Sequence, residues 1–352
     1  RAPYDLYSKD FKKGLALYSS NVLIMEKCEE LLPDHFNFVR GVVDSQDLQL
    51  NISRETLQHN SQLRAIAKKI EKKITSELKK MRDNDREEYE RFFENFGRGL
   101  EFGIYNSYGS LKDQLADLLL FYSAKQEKLV TLDEYLAAAP ADQKAIYYAA
   151  GESIERLGKM PIVKTVLGKG YDVLLCTKDV DEFCFQAMMT YGAPASEGEE
   201  APEPLELKNV ASGDLDLASE EEKKEAEETT KDNEPLFAAM KDALGDSVTK
   251  VAVSSRLEGA PACITAAGPV SLEMERIMAQ MPDGADGPKS ERVLEINAKH
   301  AVFDTLKDAQ AAGDAEKVKL YTDILYNQAL LVEGLPIDDP VAYANAVTKL
   351  MA

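Results

Sequence analysis

The chain has 352 residues, 44% hydrophobic and 30% charged, with a formal net charge of −20, which is enough for two or three domains with buried cores. Its acid excess argues against general nucleic-acid binding, which needs a basic footprint to neutralise phosphates, and it has no apolar run long enough to span a bilayer. The four cysteines (Cys28, Cys176, Cys184, Cys263) form no C-x-x-C pair, and the three histidines (His35, His59, His300) lie far apart. They read as reduced core thiols of a cytoplasmic protein, with a metal centre or histidine triad unsupported.

Residues 1–58 alternate short apolar stretches with turn residues and end in FVRGVVDSQDLQLNISRETLQ (38–58). Val39, Val42 and Val43 read as a strand, 44–47 as a turn, and Ser53 as the N-cap of a helix. Arg54 then falls in the first helical turn, where a cation opposes the dipole's positive end. Two readings stand: an arginine reaching outward to an anion beside free N–H groups, or one paired with Glu55 or Asp47. Residues 54–122 read as largely helical. Within them, 64–82 carry 8 bases and 2 acids, while Leu63, Ile66, Ile70, Ile74, Leu78 and Met81 keep helical spacing. That pattern is a solvated basic face over a core stripe, with an acidic partner's surface as the alternative. The run LADLLLFY (115–122) is taken with the helices.

Residues 130–195 change character. Thr131-Leu132-Asp133-Glu134 starts a helix, and AIYYAAG (145–151) and YDVLLCT (171–177) read as strands of a small α/β unit with a parallel pair. Residues 197–234 hold 15 acids and 4 bases and, through 233, read as a solvated acidic linker. Beyond it come a helix at 235–244, a strand at 250–255 with 260–267 as its expected neighbour, and a helical end. The last helix starts at Asp338-Asp339-Pro340, a cap followed by proline at the first helical position.

Three elements carry candidate sites. In SLEMERIMAQM (271–281), Met274, Ile277, Met278 and Met281 form one stripe at i, i+3, i+4 and i+7. Gly268-Pro269 precede it and Pro282-Asp283-Gly284 follow, so it reads either as a core-facing helix or as a hinged, adaptable binding face. The pattern 316–333, with Leu320, Tyr321, Ile324, Leu325, Leu330, Leu331 and Val332, is too broadly apolar for one neighbour. The final helix adds Val341, Ala344, Val347, Leu350 and Met351. A twofold four-helix bundle would bury both; cover by residues 290–310 of the same chain is the alternative. No G-x-x-x-x-G-K-[ST] loop is present, and no complete active site is seen.

The 38–58 segment closely resembles the arginine-bearing loop of the 90-kilodalton heat-shock chaperone family, which reads F-[VI]-R-G-V-[VI]-D-S-x-D-L-P-L-N-[VI]-S-R-E-x-L-Q. Gln49 replaces the proline. RAPYDLY (1–7) and LYSSNVLIM (17–25) resemble the family's RAPFDLF and LYVRRVFIM, with Ser20 and Asn21 in place of the arginine pair. Tyr147-Tyr148 and DVDEFCFQ (179–186) are similar to its IYY-x-x-GE and IDE-aromatic motifs. The resemblance covers essentially the whole chain. It implies an α+β (αβα) fold: the end of the large middle subdomain (1–75), a helical connector (76–122), the small αβα middle subdomain (123–196), the acidic linker (197–233), and a mostly helical C-terminal dimerisation domain (234–352). The chain, which opens at Arg1 without methionine, is read as an excised or processed segment lacking the family's nucleotide domain.

The resemblance implies that Arg54, supported by Gln58, reaches the γ-phosphate of ATP, which that other domain holds together with Mg, a cation stabilising transition-state charge. The chain itself is expected to hold no cofactor. Unfolded or partly folded client proteins are the implied partners, contacted by Val270, Met274, Ile277 and Met278 and by Glu182, Phe183 and Gln186, where Phe183 replaces a tryptophan. Packing of Phe183 into the α/β core is the alternative. Leu320, Ile324, Leu325, Leu331, Val341, Val347 and Leu350 are the implied homodimer contacts. No nucleic acid or membrane is expected as a partner, and a passive dimeric scaffold is the rival function.

Overall fold

Residues 11–46, 61–192, 203–281 and 287–351 are described by the structure, a computed structural model. Their α+β fold falls into two units built from interleaved segments: 1–121, 129–137 and 183–204 form the first, and 122–128, 138–182 and 205–352 the second.

In the first unit, Leu15–Ser19 pairs antiparallel with Val22–Cys28 and parallel with Val42–Asp44. Ser20 and Asn21 make the tight turn between the first two strands, both at positive φ (49° and 66°), as a two-residue hairpin of this hand requires. The Asn21 N–H donates to Asp44 Oδ2 at 3.1 Å, which ties the turn to the third strand. Helices Ser61–Asn84 and Arg86–Asn106 follow. Asp85 accepts from the Glu88 N–H at 3.1 Å and so caps the second. Leu63 and Leu78 are buried, Ile66, Ile70, Ile74 and Met81 half-buried, and Lys68, Lys69, Lys72, Lys73 and Lys80 exposed. The basic stretch is thus a solvated face over a core stripe.

Gly103 lets this second helix lie against the 3-10 turn Asp34–Phe36, since a Cβ there would sit 2.8 Å from that of His35. The 115–122 run is not one helix. It divides into the end of a short helix Lys112–Leu115, a 3-10 turn Ala116–Leu118 and the strand Phe121–Ser123. A continuous apolar run lacks the periodicity that separates a helix from a buried strand.

In the second unit, Leu174–Cys176 pairs antiparallel with Tyr122 and Ser123 and parallel with Ala145–Ala150, which in turn pairs parallel with Leu205–Asn209. The helix Pro161–Gly168 packs Ile162, Val163 and Val166 onto Ala149 and Leu175. From residue 203 the acidic stretch is folded, contrary to the linker reading. Leu205 and Leu207 turn inward as strand residues, and Glu220–Asp232 is a helix with a full capping box between Ser219 and Glu222. Acidity here belongs to an exposed helix face rather than to a solvated linker.

The remaining sheet places Glu291–Ile296 between Lys250–Val253 (parallel) and Ala262–Ala267 (antiparallel), so the latter two are not neighbours as expected. Helices Glu234–Leu244, Ala301–Ala311 and Ala315–Glu333 cover it, burying Phe237, Met240, Phe303, Leu306, Leu325 and Leu330 with Leu294 and Ile296. Pro340–Met351 closes the chain with no buried residue. Asp339 Oδ1 accepts from the N–H groups of Val341 and Ala342 at 3.0 and 2.8 Å, the cap that the Asp-Pro signal predicts.

Candidate functional site

Arg54 and Gln58 lie outside the described residues. Among the described residues, no group of three His, Cys, Asp or Glu side chains is placed to hold a metal ion, and no helix is long and apolar enough to cross a membrane.

The amphipathic stripe forms the helix Leu272–Ala279, with Ser271 as N-cap, its Oγ accepting from the Met274 N–H at 3.0 Å. The stripe divides by depth. Leu272 and Ile277 are buried, Val270, Met274 and Met278 half-buried, and Met281 exposed. Ile277 is therefore a packing residue, while the methionines keep surface. The polar face is ion-paired, and the expected hinge at 282–284 lies outside the described residues. Arg276 pairs with Glu273 at 2.5 Å and with Glu152 at 3.3 Å, and Glu275 pairs with Arg292 at 3.0 Å.

Glu182 is 1% exposed and sits inside the second unit. Its carboxylate accepts from Asn209 Nδ2 at 2.6 Å, Ser271 Oγ at 2.6 Å and, more weakly, Tyr148 OH at 3.4 Å. Burial raises its pKa against these hydrogen bonds. Ser271 thus donates to Glu182 while capping the amphipathic helix, so Glu182 positions that helix from behind. Phe183 and Gln186 differ from it. Gln186 is exposed, and Phe183 is half-buried with its ring edge-on to Tyr105, centroids 5.5 Å apart.

The expected dimer set also divides by depth. Ile324 and Leu325 are buried in the chain's own core, Leu325 within the cluster around Phe303 and Leu306. Leu325 satisfies the single-chain alternative, and neither side chain is free to meet a partner. Leu320 and Val347 are half-buried, and Leu331, Val341 and Leu350 are exposed.

Several polar groups went unread in the sequence. Arg156 Nη2 donates to the Leu331 carbonyl at 2.7 Å, closing the end of the helix Ala315–Glu333, where Gly334 takes a left-handed φ of 84°. A Cβ on Gly334 would lie 3.0 Å from the Arg156 guanidinium. Arg156 also reaches Glu152 at 3.3 Å, the carboxylate that holds Arg276. Burial pushes the adjoining Glu333 carboxyl up to about 8, with Arg156 and Arg256 opposing. The buried Arg256 faces Glu295 at 3.3 Å and donates to the Ser212 and Gly213 carbonyls. Only Ser271, just ahead of an apolar-periodic run, carried a local signal for its role. The others depend on residues far apart in sequence.

The family model described as Hsp90 protein matches residues 1–352. "Chaperone protein HtpG" of Clostridium perfringens is 53% identical over 349 residues, covering 99% of this chain and 54% of the relative. The protein of the same name from Bacillus subtilis is 52% identical with the same coverage, and one from Oceanobacillus iheyensis 50% over 350 residues. The chain spans about half the length of these curated relatives.

Proposed function

Because the chain belongs to the Hsp90 protein family, we propose that it is the client-holding, dimerising portion of a chaperone. Met274 and Met278, flanked by Val270, and separately Phe183 with Gln186, contact unfolded or partly folded polypeptides. Leu320, Leu331, Val341, Val347 and Leu350 join two copies. Arg54, with Gln58, serves an ATP phosphate held outside this chain, in the manner of a charge-stabilising cation.

The observation that carries the client reading is the split of the amphipathic helix. Its buried side chains and the Arg276–Glu152 and Glu275–Arg292 ion pairs fix it in place, while two methionines keep surface. Unbranched, polarizable thioethers suit a face that must accept many apolar shapes. A fixed helix also presents that face without a further ordering cost.

The test is suppression of aggregation of a thermally unfolding protein by the chain, set beside the Met274→Ser/Met278→Ser variant. Suppression that weakens several-fold in the variant, with its urea melt retained, is the expected result. Dimerisation without any suppression would instead make the chain a scaffold.

A further inference from the structure

Two polar bridges run from the amphipathic helix Leu272–Ala279 to the helix Ala315–Glu333. The first passes through one carboxylate. Arg276 Nη1 and Arg156 Nη1 donate to the two oxygens of Glu152 at 3.3 Å each, and Arg156 Nη2 goes on to the Leu331 carbonyl at 2.7 Å. The second passes through one guanidinium. Arg292 donates from Nη2 to Glu275 and from Nη1 to the Tyr326 hydroxyl, both at 3.0 Å. Adjacent residues of the short helix, 275 and 276, therefore reach two points of the long one, at 326 and 331.

The chemistry of the first bridge needs these residue types. Arg276 lies in the last turn of its own helix, and Arg156 lies at the last carbonyls of the other, so each helix C-terminus has a favourable cation. Two cations brought to one place need an anion between them, and Glu152 supplies it. Every arginine here divides its nitrogens between two partners: Arg276 between Glu273 and Glu152, Arg156 between Glu152 and Leu331, Arg292 between Glu275 and Tyr326. A lysine ammonium lacks that planar fork. The loop that presents Glu152 is held on both sides. The Gly151 N–H donates to the Cys176 carbonyl at 3.0 Å, and Ser153 Oγ accepts from the Arg156 N–H at 3.3 Å.

Stability does not explain this bridge. The side chains of Glu152 and Arg156 are 54% and 39% exposed, and ion pairs so open to water contribute little to folding. What the bridge joins does give it a use. Met274 and Met278 lie on the helix at one end, and at the other is Leu331, 45% exposed, whose carbonyl Arg156 holds. The placing of one apolar surface is tied by charges to the placing of the other.

We propose that the two bridges couple the methionine face to self-association, so that a polypeptide seated on Met274 and Met278 tightens the contact between two copies of the chain. This rests on the client-holding, dimerising reading. An occupant that favours the seated helix favours the bridged state, and the bridged state fixes the 326–331 stretch, where Leu331 meets the second copy. Such linkage is reciprocal, so the dimer holds the polypeptide more tightly than the single chain does, by the same factor. Bridges this exposed limit the factor to roughly three- to ten-fold.

The test compares wild type with Glu152→Gln/Tyr326→Phe, which changes residues outside both binding surfaces. Glutamine keeps one acceptor and turns an N–H donor towards the other arginine, and phenylalanine removes the hydroxyl that Arg292 reaches. Self-association is followed by energy transfer between donor- and acceptor-labelled copies in a dilution series. The series is run with and without saturating reduced, carboxymethylated α-lactalbumin, a permanently unfolded polypeptide. The polypeptide should lower the dimer Kd of wild type about three-fold or more, and that of the variant less than about 1.5-fold, with the variant still binding and still dimerising. Equal tightening in the variant, or none in a wild type that both binds and dimerises, would overturn the coupling and leave the client-holding reading standing. A wild type that binds no polypeptide, or stays a single chain, would overturn both. A collapsed melt in the variant would assign the bridges to folding and overturn the coupling as well.

Discussion

Ser271 holds two positions in one hydrogen-bond chain, capping the Met274 N–H and donating to the buried Glu182. Ser271→Ala removes the cap, worth about 1 kcal/mol, and takes one donor from a carboxylate that has no access to water, about 1–2 kcal/mol more. Ser219→Ala, at an exposed capping box, should cost only the first of these. Urea melts of the two variants should therefore differ by ~1 kcal/mol or more, and equal losses would mean that Ser271 acts as a cap alone. Glu333 offers a second measurement at this scale. Burial raises its pKa from the ordinary 4.5 to about 8, so the folded chain holds a proton that the unfolded chain releases. That stability is fully present below about pH 4.5 and is lost as pH rises toward 8. Glu333→Gln should match wild type in acid and exceed it by at least ~1 kcal/mol at pH 8, a tenfold change in proton affinity being worth about 1.4 kcal/mol. Thermal melts across that range check the sign. Little of this was legible in the chain, because Glu182, Asn209 and Ser271 are separated by 27 to 89 positions and their meeting is a product of the fold.

Elements with local signals were read closely. The Thr131–Glu134 start was legible because both halves of its hydrogen bonding lie within four residues, and the Asp338-Asp339-Pro340 start for the same reason. The basic face of Ser61–Asn84 followed from its 3.6-residue stripe. The strand Leu205–Asn209 was missed since acid count across residues 197–234 masked a five-residue alternation, although Ser219 and Glu222 spelled a capping box. The order of the last sheet was hidden because its central strand arrives after both neighbours in sequence. The amphipathic helix shows what periodicity leaves open, since a stripe at i, i+3, i+4 and i+7 does not say how deep each member lies. The depths found here set a prediction. Ile277→Ala should cost about 2–4 kcal/mol as a buried large-to-small change, while Met281→Ser should stay within about 0.5 kcal/mol as a surface change. Denaturant melts of both variants decide it. Equal small losses would return Ile277 to the surface face.

At the scale of the molecule, one exposed apolar surface among the described residues is the last helix. Pro340–Met351 has a sound cap in Asp339 but no buried residue, with Val341 70% and Met351 82% exposed. One side packs in part on its own chain through half-buried Tyr343 and Val347. A 12-residue helix is still marginal in water when so little of it is covered, so a second copy covering the exposed side is the expected arrangement. The distribution of burial dictates how to test this. Truncation before residue 314 would strip Val318, Leu325, Ala329 and Leu330 from the core and confuse unfolding with loss of the dimer. Val341→Asp with Leu350→Asp leaves that core intact. In a twofold interface each change counts twice. Four apolar side chains are then lost at roughly 1.5 kcal/mol or more each, which at 1.4 kcal/mol per tenfold weakens association by about 10⁴. Sedimentation equilibrium should show wild type as a dimer and the variant as a monomer at micromolar concentration, with the chemical melt of the variant's core unchanged once dimer dissociation is allowed for. A variant that still sediments as a dimer would place the interface elsewhere, and a collapsed core in the variant would mean that the last helix packs on its own chain.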